Sequence, residues 1–336
     1  MKAIRFTRSL PISNNASLNE YEIDIPSCSS NELLVKIKAI SVNPVDYKVR
    51  QSAAKDEELN EPKVIGWDAA GVVEHIGSNV ENFSVGDEVY YAGNIKKPGC
   101  YAEYQCIDSA IVAKKPAKLN WMQSAALPLT ALTAWECIFD RMNITENGGK
   151  DEKILIIGGA GGVGSIAIQI LKELTQFEVI ATASREDTIQ WCKKMGADRV
   201  VNHHKLSKEL KNEKDSISYI LNFADTAGHW ETMTKLIAPQ GHIACIVNTT
   251  ENVNLNALKE KSVSFHWELM FTRPMFNTRD KYKQHKILAR IAELADTGKI
   301  ISTKNKEFHG LSAEVFREVH KLQESGKSIG KNVIEF

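Results

Sequence analysis

Short apolar runs separated by turn residues fill the first third of the chain. LLVKIKAISV (33–42), GVVEHIG (71–77), DEVYYAG (87–93) and YAEYQCI (101–107) are rich in β-branched and aromatic residues, with Gly, Pro, Asn and Asp between them. That pattern predicts strands. The opening MKAIRFTRSL lacks the apolar core of a signal peptide and reads as the start of another strand. From Trp121 the spacing turns helical in WMQSAALPLTALTAWECIF (121–139), where Pro128 predicts a break. A turn-rich ENGGKDE (146–152) then leads into KILIIG, an apolar run suited to a strand buried on both faces.

Strands and helices alternate after that point. KILIIG is followed by a helix around Ser165–Leu174, strand EVIATA, a helix around Asp187–Met195, and strands RVVN, YILNFA and HIACIV. Such alternation predicts an α/β fold with a doubly wound parallel sheet. Two amphipathic helices close the pattern. One puts Ile287, Leu288, Ile291 and Leu294 on a single face, and the other does so with Val315, Phe316, Val319 and Leu322. The expected plan is a β-rich domain of residues 1–120 and 273–336, interrupted by a nucleotide-binding domain of residues 121–272.

Composition narrows the function classes. Among 336 residues, 42 Lys and Arg balance 42 Asp and Glu, so the net charge is zero. An electrostatic nucleic-acid binder would carry a basic excess or stripe, so no nucleic-acid partner is expected. No apolar run approaches the ~18 residues of a spanning helix, and the expected location is cytoplasmic. Cys28, Cys100, Cys106, Cys137, Cys192 and Cys245 form no C-x-x-C pair and have no histidine at zinc-finger spacing. Free thiols are the expectation.

The clearest chemistry lies in Gly158–Gly164. Gly159, Gly161 and Gly164 give the G-x-G-x-x-G spacing directly after a predicted strand and at the opening of a helix. The first glycine permits the turn, the second lets the backbone approach a pyrophosphate, and the third lets helix and strand pack closely. Gly162 and Val163 would offer their N–H groups to the anion at the helix N-terminus. A site for NAD usually has an acid about 20 residues further on, but here Ser184 and Arg185 stand at that place. A hydroxyl beside a guanidinium suits a 2′-phosphate, which favours NADPH. Glu186 and Asp187 follow and also suit the first turn of the next helix. His203 either reaches the phosphate or is a surface histidine.

GWDAAGVVEHIGSNVENFSVGDEVYYAG (66–93), AALPLTALTAW (125–135), IIGGAGGVGSIAIQ (156–169) and ESGKSIGKNVI (324–334) together resemble the medium-chain dehydrogenase/reductase superfamily. The resemblance is to its quinone oxidoreductase subfamily, including bacterial proteins labelled zinc-type alcohol dehydrogenase-like. It implies a GroES-like β-rich catalytic domain and a Rossmann cofactor domain. In zinc-dependent members of this family, a cysteine ligand and a Gly-His-Glu motif stand where this chain has Asn43 and Gly66-Trp67-Asp68. An indole cannot bind zinc and an amide binds it poorly, so no metal is expected. Asp46 and Asp68 then read as salt-bridge or capping residues.

The resemblance further implies hydride transfer from NADPH to a quinone or an α,β-unsaturated carbonyl. Two alternatives are a zinc-type alcohol dehydrogenase with altered ligands and a non-catalytic NADPH-binding sensor. By family position Asn43 is the hydrogen-bond donor to the acceptor, or else it caps the turn that Pro44 begins. Tyr47 is the nearest hydroxyl but stands one position before the family's usual tyrosine, a rotation of about 100° on a helix. Trp67 and Tyr91 line the acceptor pocket or pack in the core. Thr130 and Thr133 lie beside the nicotinamide or on a packed helix face. VSFHWELM (263–270) corresponds to an edge strand that pairs with its twin, so a homodimer is expected.

Overall fold

The computed structural model describes residues 1–249 and 251–336. In chain order β1 (Lys2–Phe6), β2 (Asn19–Glu22) and β3 (Glu32–Val42) precede α1 (Pro44–Ser52). Then come β4 (Lys63–Val64), β5 (Ala69–Ile76), β6 (Glu88–Tyr91), β7 (Tyr104–Asp108) and β8 (Val112–Lys114). Helices α2 (Trp121–Ala125) and α3 (Pro128–Trp135) split at the predicted break, with Pro128 opening the second helix. Pro is well tolerated there because the first N–H of a helix has no partner within it.

Alternation follows as β9 (Lys153–Ile157), α4 (Gly162–Leu174), β10 (Glu178–Thr182), α5 (Glu186–Lys194) and β11 (Arg199–Val201). It continues through α6 (Leu206–Glu209), β12 (Ile217–Asn222), α7 (Thr226–Leu236), β13 (Ile237–Cys245) and β14 (Ser264–Trp267). The remaining elements are α8 (Thr272–Phe276), α9 (Lys283–Asp296), β15 (Lys304–His309), α10 (Ala313–Glu324) and β16 (Lys331–Glu335).

These elements form two compact units, Met1–Leu129 with Phe271–Phe336, and Thr130–Met270. The first is thus built from two sequence pieces. Its large sheet runs β15-β16-β3-β5-β6-β8, with β7 also paired to β3, and a small antiparallel sheet runs β2-β1-β4. Helix α2 lies in this unit, where the sequence pattern put it with the nucleotide-binding domain. Met122, Ser124 and Ala125 are buried, and α2 packs on β3, β5 and β16. Its apolar face finds its core there.

The second unit carries six parallel strands in the order β11-β10-β9-β12-β13-β14. Ile154–Ile157 of β9 are all buried, as a central strand covered on both faces requires. On one face Leu155 and Ile157 join a core with Ile180, Ile220, Ile243, Trp230 and Met233. Among the described residues no helix is long and apolar enough to cross a membrane.

Candidate functional site

The glycine-rich turn of the second unit connects β9 to α4. Gly158 has φ +87°, which glycine adopts without steric cost. Its N–H donates to Thr182 Oγ1 at 3.0 Å, and the Gly159 N–H donates to the Thr182 carbonyl at 3.1 Å. A Cβ on Gly164 would lie 2.3 Å from the Gly158 carbonyl oxygen, so α4 can press on the turn only with glycine there. A Cβ on Gly161 would meet only that same oxygen, at 3.4 Å, which leaves that side of the turn open. Gly161 is the N-cap of α4 and supplies no side chain to cap the first-turn N–H groups, including those of Gly162 and Val163. Open N–H groups on a helix that begins in a glycine turn fit a pyrophosphate. No local pattern marks the contacts that brace this turn: Ser165 Oγ donates to the Gly161 carbonyl at 2.7 Å and accepts from Trp191 Nε1 at 2.8 Å.

Ser184 and Arg185 lie just beyond β10, which pairs with β11 through Thr182 and Val201. Arg185 is exposed at the start of α5, and its Nε stands 3.3 Å from Asp187 Oδ1. The neighbouring acids serve the helix. Glu186 accepts from Gln190 at 2.7 Å, and Asp187 accepts from the Thr188 N–H at 2.8 Å. His203 follows β11, half-buried, with its ring 4.2 Å from that of His204. Thr130 and Thr133 are buried on α3.

In the first unit, the loop before α1 and the Gly66-Trp67-Asp68 turn meet in a buried polar cluster. Lys331 Nζ at the start of β16 donates to Asp68 Oδ2 at 3.0 Å and also to Asn43 Oδ1. Asn43 Nδ2 donates to Asp68 Oδ2 at 3.1 Å and to the Ser41 carbonyl at 3.2 Å. Asp68 Oδ1 accepts the Leu129 N–H at 3.0 Å, in the first turn of α3. Burial pushes the Asp68 carboxyl above its ordinary range, and the Lys331 ammonium opposes that rise.

A second carboxylate lies beside the first. Asp46 Oδ2 accepts the Asn43 N–H at 2.9 Å, as a residue in the third position of a helix can, and the Tyr101 hydroxyl at 2.8 Å. Burial raises its pKa to about 7. Tyr101 also bonds His320 Nε2 at 3.0 Å, and burial lowers that imidazole to about 3. Gly66, at φ +94°, lies directly under the Tyr101 ring, where a Cβ would come within 2.2 Å.

This geometry revises several expectations. Asn43 does stand at the N-cap of α1, but its side chain turns away from the helix and spends both N–H groups on Ser41 and Asp68. As placed, it has no N–H left to donate to an acceptor. Tyr47 is half-buried on α1 with Glu324 as its charged neighbour, outside the Asn43–Asp68 cluster. Trp67 is 1% exposed, donates its indole N–H to the Asn94 carbonyl at 3.1 Å, and packs edge-on to Phe271 at 6.0 Å. Tyr91 is equally buried, and its hydroxyl has no hydrogen-bond partner among the described residues. Both rings are core residues of the first unit and offer no open wall to a ligand.

The donor set does not fit zinc. Neither thiolate nor imidazole stands at Asn43 or Trp67, and the oxygens of Asn43 and Asp68 converge on a lysine ammonium. Among the described residues no three His, Cys, Asp or Glu side chains are grouped to hold a metal ion. Sequence reasoning missed Lys331 because its partners lie far away along the chain. Its strand, Lys331–Glu335, reads as an ordinary mixed one with only Val333 and Ile334 apolar, so nothing local marked the lysine.

Two family models match this chain. Residues 29–117 match the alcohol dehydrogenase GroES-like domain, and residues 162–288 match the zinc-binding dehydrogenase domain. A zinc-type alcohol dehydrogenase-like protein of Staphylococcus epidermidis is 46% identical, with 99% of each chain covered. The 2-methylene-furan-3-one reductase of Solanum lycopersicum is 30% identical over 84% of this chain and 74% of its own. The solved quinone oxidoreductase of Coxiella burnetii is 27% identical with a TM-score of 0.82, covering 100% of this chain and 99% of the other.

Proposed function

The chain belongs to the medium-chain dehydrogenase/reductase superfamily, and from that premise we propose an NADPH-dependent oxidoreductase that reduces a quinone or an α,β-unsaturated carbonyl without zinc. One observation carries the zinc-independent part: the Lys331 ammonium is bonded to Asn43, which stands where zinc-dependent relatives keep a cysteine ligand, and to Asp68 beside Trp67, which stands where they keep a histidine. A dication beside that ammonium would meet like charge with no thiolate to offset it. The reductase part draws support from the relatives named for an enone reductase and a quinone oxidoreductase.

When bound, the nicotinamide cofactor supplies the hydride. The first-turn N–H groups of α4 bind the pyrophosphate, and Arg185 with Ser184 receives the 2′-phosphate. Asp68 fixes the first turn of α3, the helix that carries Thr130 and Thr133. With Asn43 fully engaged and Tyr47 outside the cluster, solvent protonates the reduced acceptor oxygen. Reduction of a conjugated acceptor spreads charge that water can neutralise, whereas alcohol oxidation would call for a Lewis acid. We extend the reading to a homodimer formed through edge strand β14, whose last residue Trp267 is half exposed, as is Leu269 two residues beyond it; light scattering checks it.

The test is NADPH oxidation against a panel of quinones and enones, before and after chelator treatment, with elemental analysis of the same sample. Turnover that survives chelation supports the reading. One tightly held metal per chain, with activity lost on its removal, would favour the alcohol dehydrogenase alternative. Cofactor binding without turnover on any acceptor would favour a sensor.

A further inference from the structure

Three histidines from two separate chain segments gather at the end of the second unit's sheet, where one of them, His203, also feels Arg185. His203 and His204 follow β11, whose last residue pairs with Thr182 of β10 just before Ser184 and Arg185. The Ala183 N–H donates to the Val201 carbonyl at 2.9 Å, which holds the two strand ends together. Helix α7 reaches the same place from β12. Ser207 of α6 and Thr232 of α7 touch hydroxyl to hydroxyl at 3.1 Å, and His229 stands one turn before Thr232. His203 and His229 are half-buried and His204 is exposed.

The charges facing this group are mostly cationic. Burial, then His204, His229 and Arg185, hold the His203 imidazole below its ordinary pKa. Burial also lowers His229, with Asp225 opposing and His204 assisting. Of the nearby carboxylates, Asp225 accepts the Gly228 N–H and Glu209 accepts the Asn202 N–H, while Asp187 Oδ1 accepts the Thr188 N–H and stands 3.3 Å from Arg185 Nε, so one exposed carboxylate already shares the guanidinium. Lys205, exposed, adds another positive charge after the histidine pair. A group of imidazoles that repel one another's protons, next to a guanidinium, is suited to a dianion that would supply the missing negative charge.

We propose that His203, His204 and His229 complete, with Arg185, the grip on the cofactor's 2′-phosphate, so that NADPH binding takes up a proton that NADH binding does not. The proposal rests on the NADPH reading above and names a specificity-determining residue, His229, that no sequence motif marks. Its consequence is that preference for NADPH over NADH grows as pH falls from 8 toward 6.5. Linkage sets the slope at about tenfold per pH unit for each full proton taken up.

The experiment is calorimetric titration of the unliganded protein with NADPH, NADH and 2′,5′-ADP at pH 7 in two buffers of different ionisation enthalpy. Wild type is expected to take up protons with NADPH and 2′,5′-ADP and none with NADH. His229→Gln and, separately, His203→Gln should lower that uptake and weaken NADPH by about tenfold, the low end for a hydrogen bond to a charged group, with NADH binding unchanged. Unchanged NADH binding in a variant also shows that it is folded. Proton uptake that is absent in wild type, or intact in both variants, overturns the histidine grip even if NADPH remains preferred. Equal affinity of wild type for NADPH and NADH overturns the cofactor reading itself, and the grip with it.

Discussion

The Lys331 ammonium lies 3.0 Å from the Asp68 carboxylate, and both side chains are almost wholly buried. The two residues are 263 positions apart in the chain. The pair joins the last strand of the first unit to the Gly66-Trp67-Asp68 turn, and through the Leu129 N–H to the start of α3.

Removing one member should therefore cost more than removing both. Lys331→Met leaves the Asp68 carboxylate and the Asn43 oxygen without their donor, and should destabilise the protein by about 3–5 kcal/mol. Adding Asp68→Asn should recover part of that loss. Denaturant unfolding of the two single variants and the double variant checks this through the coupling energy.

Asp46 predicts a pH dependence of a defined sign. Its pKa in the folded protein, about 7, lies above the ordinary carboxyl value. The fold therefore favours its protonated form. The associated stability is fully present below about pH 4 and is lost as pH rises through 7. Asp46→Asn should remove that slope. Relative to the variant, wild type should lose roughly 1 kcal/mol or more per pH unit between 4.5 and 7, measured by urea unfolding across that range.

The two glycines of the turn should respond differently to a methyl group. Gly164→Ala places Cβ 2.3 Å from the Gly158 carbonyl oxygen and should lower the melting temperature of the unliganded protein. Gly161→Ala meets nothing closer than 3.4 Å and should leave that melting temperature nearly unchanged while weakening cofactor binding. Thermal melts with and without NADPH separate the two effects.

Arg185→Ala should weaken NADPH at least tenfold, through loss of a charge-assisted contact, and NADH by much less. Equal losses in titrations with the two cofactors would remove Arg185 from the phosphate.

What the chain disclosed before its structure depended on distance. The glycine turn was legible because its seven residues are contiguous and the flanking strand and helix have different periods. Ser184 and Arg185 followed by counting along the same segment. The cluster around Asp68 was only half legible. Its carboxylates read as pairing and capping groups, but Lys331, Tyr101 and His320 come from a strand, a loop and a helix whose packing no local pattern encodes. Asn43 shows the limit most clearly. Sequence placed it correctly at a helix start, yet the direction of its side chain was decided by a lysine 288 residues later. Trp67 and Tyr91 stayed open between pocket and core for a related reason, since an aromatic residue near a site and one in the core look alike until the sheet is closed.

The discontinuous sheet has a consequence for biosynthesis. Strand β16 fits between β15 and β3, so the first unit lacks two neighbouring strands while residues 130–270 leave the ribosome. Those intervening residues contain every strand of the parallel sheet and can reach their own local fold first. Through that interval Ala39–Val42 of β3 lack the partner that β16 will supply, and Asp68 has no ammonium. Closing so long a loop slows folding and leaves a sheet edge open to other chains. The nascent chain thus carries a finished nucleotide-binding unit ahead of an unfinished catalytic one, and the last strand both seals the edge and delivers the charge.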